Sequence, residues 1–171
     1  MSTSSVQDVK LSVDRLDDDN IESKTRLRLW LHLLKATKEI EGELRERLRQ
    51  EFNTTLPRFD VMAALYRFEN GLKMSEISGV LKVSNGNVTG IVDRLTDEGL
   101  LVRVPVKGDR RALLVKLTQK GREQFGAMAV KHESWVNEVL SAISAVDGEE
   151  LVEQLELLLP KSATDEGEIH V

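Results

Sequence analysis

Between positions 84 and 94 the chain carries amide, hydroxyl and guanidinium side chains together with two glycines. An asparagine amide donates and accepts hydrogen bonds at the same time, and its geometry matches the major-groove edge of adenine. Hydroxyl groups bind base edges or phosphates, whereas a guanidinium group binds phosphate strongly. This segment therefore has the chemistry of a DNA-binding surface, for which we predict the residues Ser84, Asn85, Gly86, Asn87, Thr89, Gly90 and Arg94.

Basic residues are concentrated just downstream, although the whole chain has a formal net charge of −5. Affinity for a duplex comes largely from neutralised phosphates, so the distribution of charge matters more than its sum. Acidic residues crowd both ends of the chain, whereas residues 103–122 contain a single acid, Asp109. The predicted DNA-binding set is completed by Lys107, Asp109, Arg110 and Arg111, with the two arginines in a minor groove and the aspartate orienting one of them. A solvated charged surface is the alternative.

Two short runs of apolar residues at helical spacing predict the helices that position these side chains. The first run begins at Ile77 and the second at Val88, and only a few residues separate them. This arrangement predicts a helix-turn-helix, whose recognition helix covers residues 85–98. Ser84 suits the N-cap, where its hydroxyl would accept a hydrogen bond from a following backbone N–H, and Gly99 suits the position just past the end.

After position 100 the helical spacing gives way to the alternation typical of strands. Apolar residues at 101, 102 and 104 lead to a turn at 107–109, and apolar residues at 113, 115 and 117 alternate with their neighbours. A β-hairpin directly after a helix-turn-helix is a winged helix. We therefore predict a mainly α-helical fold whose DNA-binding lobe carries a small β wing.

The ordered set of motifs resembles the MarR family of bacterial transcriptional regulators, over a region from about Arg26 to Leu159. The resemblance implies a DNA-binding regulator that responds to a small molecule. Within the family, residues 56–60 and 86–90 look like the branch that responds to aromatic acyl-CoA thioesters such as hydroxycinnamoyl-CoA. The residues that carry the family resemblance are Val88, Thr89, Asp93, Arg94, Leu95, Glu98, Gly99, Leu100, Arg103, Asp109, Arg110, Arg111, Val115, Leu117, Thr118 and Gly121.

The N-terminal third of the chain predicts a long helix with an apolar stripe. Residues 1–20 set no strong period, and we predict a flexible acidic arm there. From Ile21 a helix of about thirty residues is predicted, which is longer than a small domain needs. We expect this helix to pack against a second copy of the chain, and an intrachain core helix is the alternative.

Further helices are predicted on both sides of the wing. One runs from Pro57 to about Phe68 and is apolar nearly all round, which indicates burial. A heptad-like seam follows the wing, and a last helix begins at a capping box of Asp147 with Glu150.

The predicted divisions of the chain are a flexible arm at 1–20, a helical dimerisation layer at 21–55 and 118–160, a winged-helix lobe at 56–117 and a polar tail at 161–171.

The family resemblance also implies a ligand pocket between the lobe and the helical layer. An aromatic CoA thioester needs an apolar slot and cations for its phosphates. The predicted ligand-binding residues are Trp30, Arg26, Arg58, Phe59 and Met62, with Arg28 nearby. Core packing is the alternative for the aromatic residues, and a solvated helix surface is the alternative for the arginines.

Other classes of site find little support in the composition. The chain has no cysteine, which excludes disulfides and thiol-based redox sensing, and its three histidines lack metal-ligand spacing. No motif of a hydrolase, a nucleotide-binding loop or a dinucleotide-binding fold is present. We therefore expect no enzyme activity, catalytic residue, metal or cofactor. Without a signal peptide or an apolar run near the ~20 residues of a membrane span, a cytoplasmic protein is expected.

Together these patterns predict a homodimeric repressor that binds an inverted-repeat operator. Its two recognition helices would enter successive major grooves about 34 Å apart. Asn85, Asn87 and Thr89 are expected to read base edges, and Arg94 to hold phosphate. An aromatic acid or its CoA thioester would release the dimer by changing the spacing of the two helices.

A winged-helix module for protein interaction or structure, without DNA readout, is the competing hypothesis. Gly86 and Gly90 motivate it, because each glycine costs a helix interior about 1 kcal/mol relative to alanine. The same glycines would also let the helix backbone approach DNA closely.

Overall fold

The computed structural model describes residues 4–106 and 109–159, without the side chains of residues 4–19 and 109–111. Lys107 and the predicted C-terminal tail at 161–171 lie outside the described residues. The fold is mainly helical with one two-stranded sheet, which confirms the predicted class. In chain order the elements are α1 (Ser4–Phe52), α2 (Leu56–Arg67), α3 (Met74–Leu81), α4 (Asn85–Asp97), β1 (Leu101–Val106), β2 (Asp109–Leu117), α5 (Gln119–Val139) and α6 (Ala145–Glu156).

The chain divides into two compact units, residues 1–132 and 133–171. This division cuts α5 and differs from the sequence-based boundaries, whose functional meaning remains a prediction. In the first unit, α3 and α4 form the helix-turn-helix and the antiparallel pair β1–β2 forms the wing, as predicted. α4 begins at the predicted residue and ends one residue earlier than expected.

The core of the winged-helix lobe is formed by branched apolar side chains from α2, α3, α4 and β2. Burying each of these side chains contributes about 1.5–3 kcal/mol, which is what holds α4 against the rest of the lobe. Members that are fully buried include Val61, Leu65, Ile77, Val88, Val92, Leu95 and Val115. The loop before α3 joins the wing through an antiparallel bridge between Leu72 and Val115, with N–O distances of 3.1 and 2.8 Å.

Gly99 and Gly121 are among the glycines at positions where a larger residue would be strained or would clash. Gly99 follows α4 with φ +73°, which confirms the predicted end of the recognition helix. At the start of α5, a Cβ on Gly121 would lie 2.1 Å from the carbonyl oxygen of Leu100. Glycine is therefore needed for α5 to lie this close to the start of the wing.

The caps of the helices follow the sequence only in part. Thr118 caps α5, because its Oγ1 accepts from the N–H of Gly121 at 3.0 Å. Ser84 occupies the N-cap of α4, but its side chain makes no capping hydrogen bond, so that part of the prediction is wrong. Lys73 stands at the N-cap of α3, and the carboxylate of Glu76 accepts from the Lys73 N–H at 2.7 Å.

The start of α6 differs from the predicted capping box at Asp147. The helix begins two residues earlier, at Ala145, and Ser144 is its N-cap. The Ser144 hydroxyl accepts from the N–H of Asp147 at 3.2 Å. Asp147 instead lies in the first turn, where a negative charge is stabilised by the helix dipole.

Helix α1 begins at Ser4, so the predicted helix start at Ile21 is wrong. Near its end Leu44 and Leu48 are buried, whereas the apolar residues between positions 21 and 34 are largely exposed. Trp30, for example, keeps 55% of its surface exposed. Within the chain, therefore, only the C-terminal part of the apolar stripe of α1 is buried.

The heptad-like seam of α5 is buried within the chain at Phe125, Met128 and Trp135. The ring of His132 on α5 is stacked on the ring of Phe59, with centroids 4.5 Å apart. In the second unit, α6 has no buried residue. None of the helices in the described part of the chain is long and apolar enough to span a lipid bilayer.

Candidate nucleic-acid interface

The outward face of α4 carries the side chains that were predicted to contact DNA. Residues 84–87, 89, 90 and 94 are all exposed. The helix is held by Val88, Val92 and Leu95, which are fully buried on its opposite face. Because side chains three and four residues apart share one face of a helix, burial of this apolar stripe presents the polar residues to solvent.

Two glycines lie on this outward face at Gly86 and Gly90. A Cβ added at either position would have no heavy atom within 4 Å, so nothing inside the chain requires glycine there. Each one nevertheless costs the helix about 1 kcal/mol relative to alanine. A bare strip of backbone at these positions suits close approach by a partner surface. Between them, the hydroxyl of Thr89 donates to the Asn85 carbonyl at 2.9 Å.

The C-terminal end of α4 is fixed by two cations. The guanidinium of Arg58 on α2 donates twice to the carboxylate of Glu98, once at 2.8 Å from Nη1 and once from Nη2. Lys120 donates to the backbone carbonyl of Glu98 at 2.9 Å. The hydrogen bond from Arg58 lowers the pKa of Glu98 below its usual value. This paired arrangement ties the recognition helix to α2 and α5.

Basic residues of the wing segment are partly engaged inside the chain. Arg103 donates to Asp93 at 2.5 Å, and Arg122 lies 3.4 Å from Glu69. Neither pair was expected from the sequence, since each joins residues from different elements. The side chains of Asp109, Arg110 and Arg111 are among those the structure does not describe, so their contacts with DNA remain predictions.

The structure places the five residues predicted to bind the ligand in different surroundings. Trp30 and Arg26 lie on the exposed part of α1, where Arg26 pairs with Glu22 at 2.7 Å. Met62 is 1% exposed and belongs to the core. Phe59 is also buried and contacts the ring of Phe125 at a centroid distance of 5.3 Å. Arg58 is committed to Glu98, as described above.

A cavity of about 350 Å³ lies against the inner side of the recognition helix. Three elements and the turn between α3 and α4 contribute to its wall, which is mostly apolar. The lining residues are Pro57, Asp60 and Val61 from α2, Leu81 from α3, Val83 from the turn, and Asn87, Val88 and Ile91 from α4. Sequence reasoning did not assign this cavity, because its wall is assembled from residues more than thirty positions apart.

Asp60 is the charged residue in the wall of this cavity. Burial, with a smaller contribution from the carboxylate of Glu41, raises the pKa of Asp60 from 3.8 to about 6. Asp60 forms no hydrogen bond or ion pair with any residue that the structure describes. Clusters of three or more potential metal ligands are absent from the described part of the chain.

A helix-turn-helix with an exposed polar recognition face and an adjoining β wing defines a winged-helix DNA-binding protein. Comparison with known proteins gives the particular family. A sequence profile described as MarR family matches residues 52–112. A MarR family transcriptional regulator from Silicibacter pomeroyi is similar at 34% identity and a TM-score of 0.67, covering 80% of this chain and 94% of that one. The chain therefore belongs to the MarR family of transcriptional regulators.

Other relatives agree with this assignment. The transcriptional activatory protein BadR of Rhodopseudomonas palustris is 30% identical over 81% of this chain and 79% of its own length. The regulator PecS of Dickeya dadantii is 28% identical over 58% of this chain, and the match spans 61% of PecS. A MarR variant from E. coli in complex with operator DNA has a TM-score of 0.68 and 26% identity, covering 77% of this chain and 94% of that one. These matches favour DNA binding over a structural module.

Proposed function

We propose that the protein is a homodimeric repressor that binds an inverted-repeat operator and leaves it when a small aromatic effector binds. The observation that carries the proposal is the outward face of α4, which is polar, rich in glycine and exposed. A face of this kind suits base readout in a major groove. The operator complex of the related E. coli MarR variant supports the same use of the fold.

Exposed apolar side chains on two helices support the homodimer. On α1, Leu27, Trp30 and Leu31 are each more than half exposed. On α6, Leu151 and Leu155 are exposed, and the helix buries nothing within the chain. Apolar residues clustered in this way usually mark a protein interface. A second copy of the chain is the partner that would also supply a second recognition helix.

A dimer with one recognition helix on each subunit predicts the shape of the operator. The two-fold symmetry of the protein requires two half-sites in inverted orientation, about 34 Å apart from centre to centre. A footprint on the DNA upstream of the protein's own gene should show two protected segments separated by one helical turn. Protection of a single half-site at every protein concentration would contradict the dimeric binding mode.

The effector is proposed to be an aromatic acid or its CoA thioester. Trp30 offers an exposed aromatic surface, and Arg26 lies four residues away on the same helix. The pairing of Arg26 with Glu22 is exposed to solvent, and such pairs contribute only about 0–1 kcal/mol, so a phosphate could replace the carboxylate. Arg58 is a weaker candidate than the sequence suggested, because it holds Glu98 in a bidentate pair.

The effector proposal is tested by releasing the protein from operator DNA with matched compounds. Coumaroyl-CoA, coumarate and free CoA are compared at the same concentrations, and the thioester is expected to act in the micromolar range. Arg26→Ala should weaken the response to the thioester, whereas Arg49→Ala, which removes a similarly exposed helix pair with Glu46, should not. Equal release by coumarate and coumaroyl-CoA would refute the CoA assignment, but the assignment of the protein as a DNA-binding regulator would stand.

Repression rather than activation is part of the same proposal, because release of a bound dimer would uncover a blocked promoter. The relative BadR is named a transcriptional activatory protein, so whether this protein represses or activates transcription needs its own measurement. A reporter fused to the operator should rise when the gene is deleted. A fall in reporter expression would mean that the protein activates transcription, and the DNA-binding assignment would be unaffected.

A further inference from the structure

The C-terminal end of α4 is held by side chains from outside the helix. Arg58 on α2 donates from both terminal nitrogens to the Glu98 carboxylate, and Lys120 on α5 donates to the Glu98 carbonyl at 2.9 Å. The hydroxyl of Thr118, just before α5, donates to the carbonyl of Gly99 at 2.8 Å. Directed hydrogen bonds therefore fix the last residues of the recognition helix, in addition to apolar packing.

The N-terminal end of α4, which carries the residues predicted to read bases, is held less firmly. The side chain of Ser84 forms no capping hydrogen bond, and glycine occupies positions 86 and 90. Glycine has the largest backbone freedom of any residue, and it weakens a helix interior. The hydroxyl of Thr89 donates to the carbonyl of Asn85, which belongs to the same helix. The direction of this end therefore depends on how the other end is held.

Apolar burial alone does not determine that direction closely. Val88, Val92 and Leu95 turn one face of α4 toward the core, but the hydrophobic effect is non-directional and tolerates small rotations of a helix. The 13 residues of α4 precede Glu98 and span about 20 Å. A tilt of about 10° at the C-terminal end would move the first turn by about 3 Å, which is enough to break hydrogen bonds to base edges.

The pair of Arg58 with Glu98 is better suited to fixing a direction than to stabilising the fold. The Arg58 side chain is 21% exposed, and its Nε atom is buried without a hydrogen-bond partner among the described residues. An unsatisfied buried donor on a cation costs free energy, and an apolar side chain of similar length would avoid that cost. The planar guanidinium, however, binds a carboxylate in a defined bidentate orientation. What this pair provides is geometric precision.

We propose that Arg58 is the positioning residue of the recognition helix, because its bidentate pair with Glu98 fixes the direction in which residues 85–89 project toward the major groove. Arg58 acts through Glu98 and is not itself a DNA contact. Discrimination between operator and random DNA should therefore depend on Arg58, whereas the phosphate contacts that dominate binding to random DNA should not. The inference rests on the proposed use of α4 in base readout, and it gives Arg58 a role different from the ligand contact expected from the sequence.

The first test compares Arg58→Met with a matched control. Methionine removes the guanidinium and keeps an unbranched side chain. The control is Arg47→Met, because Arg47 is 26% exposed and pairs with Glu43 at 2.7 Å, but this pair lies within α1. Anisotropy at one salt concentration gives the affinities for the footprinted operator and for random DNA. In Arg58→Met their ratio should fall by about tenfold or more, with random-DNA affinity within about twofold of the parent protein. Arg47→Met should change neither value.

Further variants separate positioning from stability. Glu98→Gln keeps the shape of the partner and removes its charge, so it should lower the affinity ratio as Arg58→Met does. The double variant should lose no more than either single variant, because both remove the same interaction. In the Arg58→Met protein, Asn87→Ala should cost much less operator affinity than in the parent protein, because the base contact is already lost. Urea denaturation shows whether each variant is folded.

Several results would overturn the inference. They are an unchanged affinity ratio in folded Arg58→Met, equal losses on operator and random DNA, and losses in the double variant that equal the two single losses combined. A variant that is less stable but keeps the parent ratio would assign the pair to the fold alone, which also overturns it. A parent protein that does not prefer the operator over random DNA would refute the proposed base readout, and the inference with it.

Discussion

The helices α4 and α6 both present side chains to solvent, but the large residues that they expose have opposite chemistry. In α4 three valine and leucine side chains are buried, and the exposed positions are polar or glycine. In α6 nothing is buried, and the exposed positions include four large apolar residues. Those residues are Val146, Leu151, Val152 and Leu155, and the three leucines at 157–159, just after the helix, are exposed as well.

This contrast indicates two different kinds of partner. A polar helix face without internal contacts can exchange its hydrogen bonds with water for hydrogen bonds to base edges and phosphates. An apolar helix face in water is unfavourable by about 25 cal/mol for each Å² that remains exposed, and burial against another protein surface removes this cost. The α4 surface thus fits DNA, and the α6 surface fits a second protein chain.

The largest effect is expected when the apolar surface of α6 is made acidic. In the double variant Leu151→Glu with Leu155→Glu, burial of two charges in an interface would prevent dimerisation, while the fold of the subunit should survive because both residues are exposed. Loss of the second recognition helix should lower operator affinity by about 10²–10⁴-fold. Sedimentation velocity and mobility shift measure the two effects.

A matched control for this variant is Gln154→Glu, which adds a negative charge to the same helix at an exposed polar position. It should leave both the dimer and operator binding unchanged. A double variant that still sediments as a dimer would show that α6 has no part in the interface and would break the proposed contrast with α4.

The next effect concerns the polar surface of α4. Asn87→Ala removes an exposed amide near the start of the helix, and it should cost about 1–3 kcal/mol on the specific operator and much less on random DNA. Fluorescence anisotropy with both duplexes gives the two affinities. Asn137→Ala on α5 is the control, since Asn137 is also an exposed helical asparagine. Equal losses on both duplexes would mean that Asn87 contacts phosphate.

Local patterns in the sequence predicted the parts of this surface that depend on neighbouring residues. The spacing of apolar residues determines which face of α4 is buried, and Gly99 marks its end because a left-handed residue is needed there. The same reasoning did not predict the pairing of Arg58, which the family resemblance assigned to the ligand. Its partner in the structure, Glu98, lies forty residues further along the chain. No periodicity in the sequence reports a contact of that separation.

The remaining errors have a related physical cause. Several residues satisfy the rules for a cap, so Ser144 was overlooked in favour of Asp147. The start of α1 was misplaced because helical propensity is weak evidence when no apolar stripe accompanies it. The cavity at Asp60 was missed because three separate elements form its wall, and only their packing creates an apolar space around a carboxyl group.

The effect of the half-buried Asp60 carboxyl, which lies in the cavity beside α4, can be tested through the stability of the lobe. Burial raises the pKa of Asp60 to about 6, so the folded protein holds this proton more tightly than the unfolded chain does. The stabilising effect of protonation is complete below pH 4 and is lost as the pH rises through 6. Asp60→Asn should therefore increase the free energy of unfolding by about 1–2 kcal/mol at pH 7.5, allowing for partial solvent screening, and by little at pH 4.

Urea denaturation at both pH values measures this difference, with Asp97→Asn as the control because Asp97 is exposed on α4. Since many carboxylates titrate over this range, only the difference between each variant and the parent protein is informative. A stability gain from Asp60→Asn that is the same at pH 4 and pH 7.5 would show that the Asp60 charge is not destabilising in the folded state.

The smallest effect concerns the glycines of α4, and it separates stability from DNA binding. Gly90→Ala should stabilise the helix by about 1 kcal/mol, because alanine is the better helix former and its methyl group enters open space. If the bare backbone serves close approach to DNA, the same methyl group should weaken operator binding. Gly126→Ala is the matched control: Gly126 lies inside α5, also with open space around its Cβ position, so it should give the stability gain without a loss of affinity. Thermal unfolding and anisotropy distinguish the two outcomes, and a Gly90→Ala protein that is more stable and binds its operator normally would mean that the glycine strip does not contact DNA.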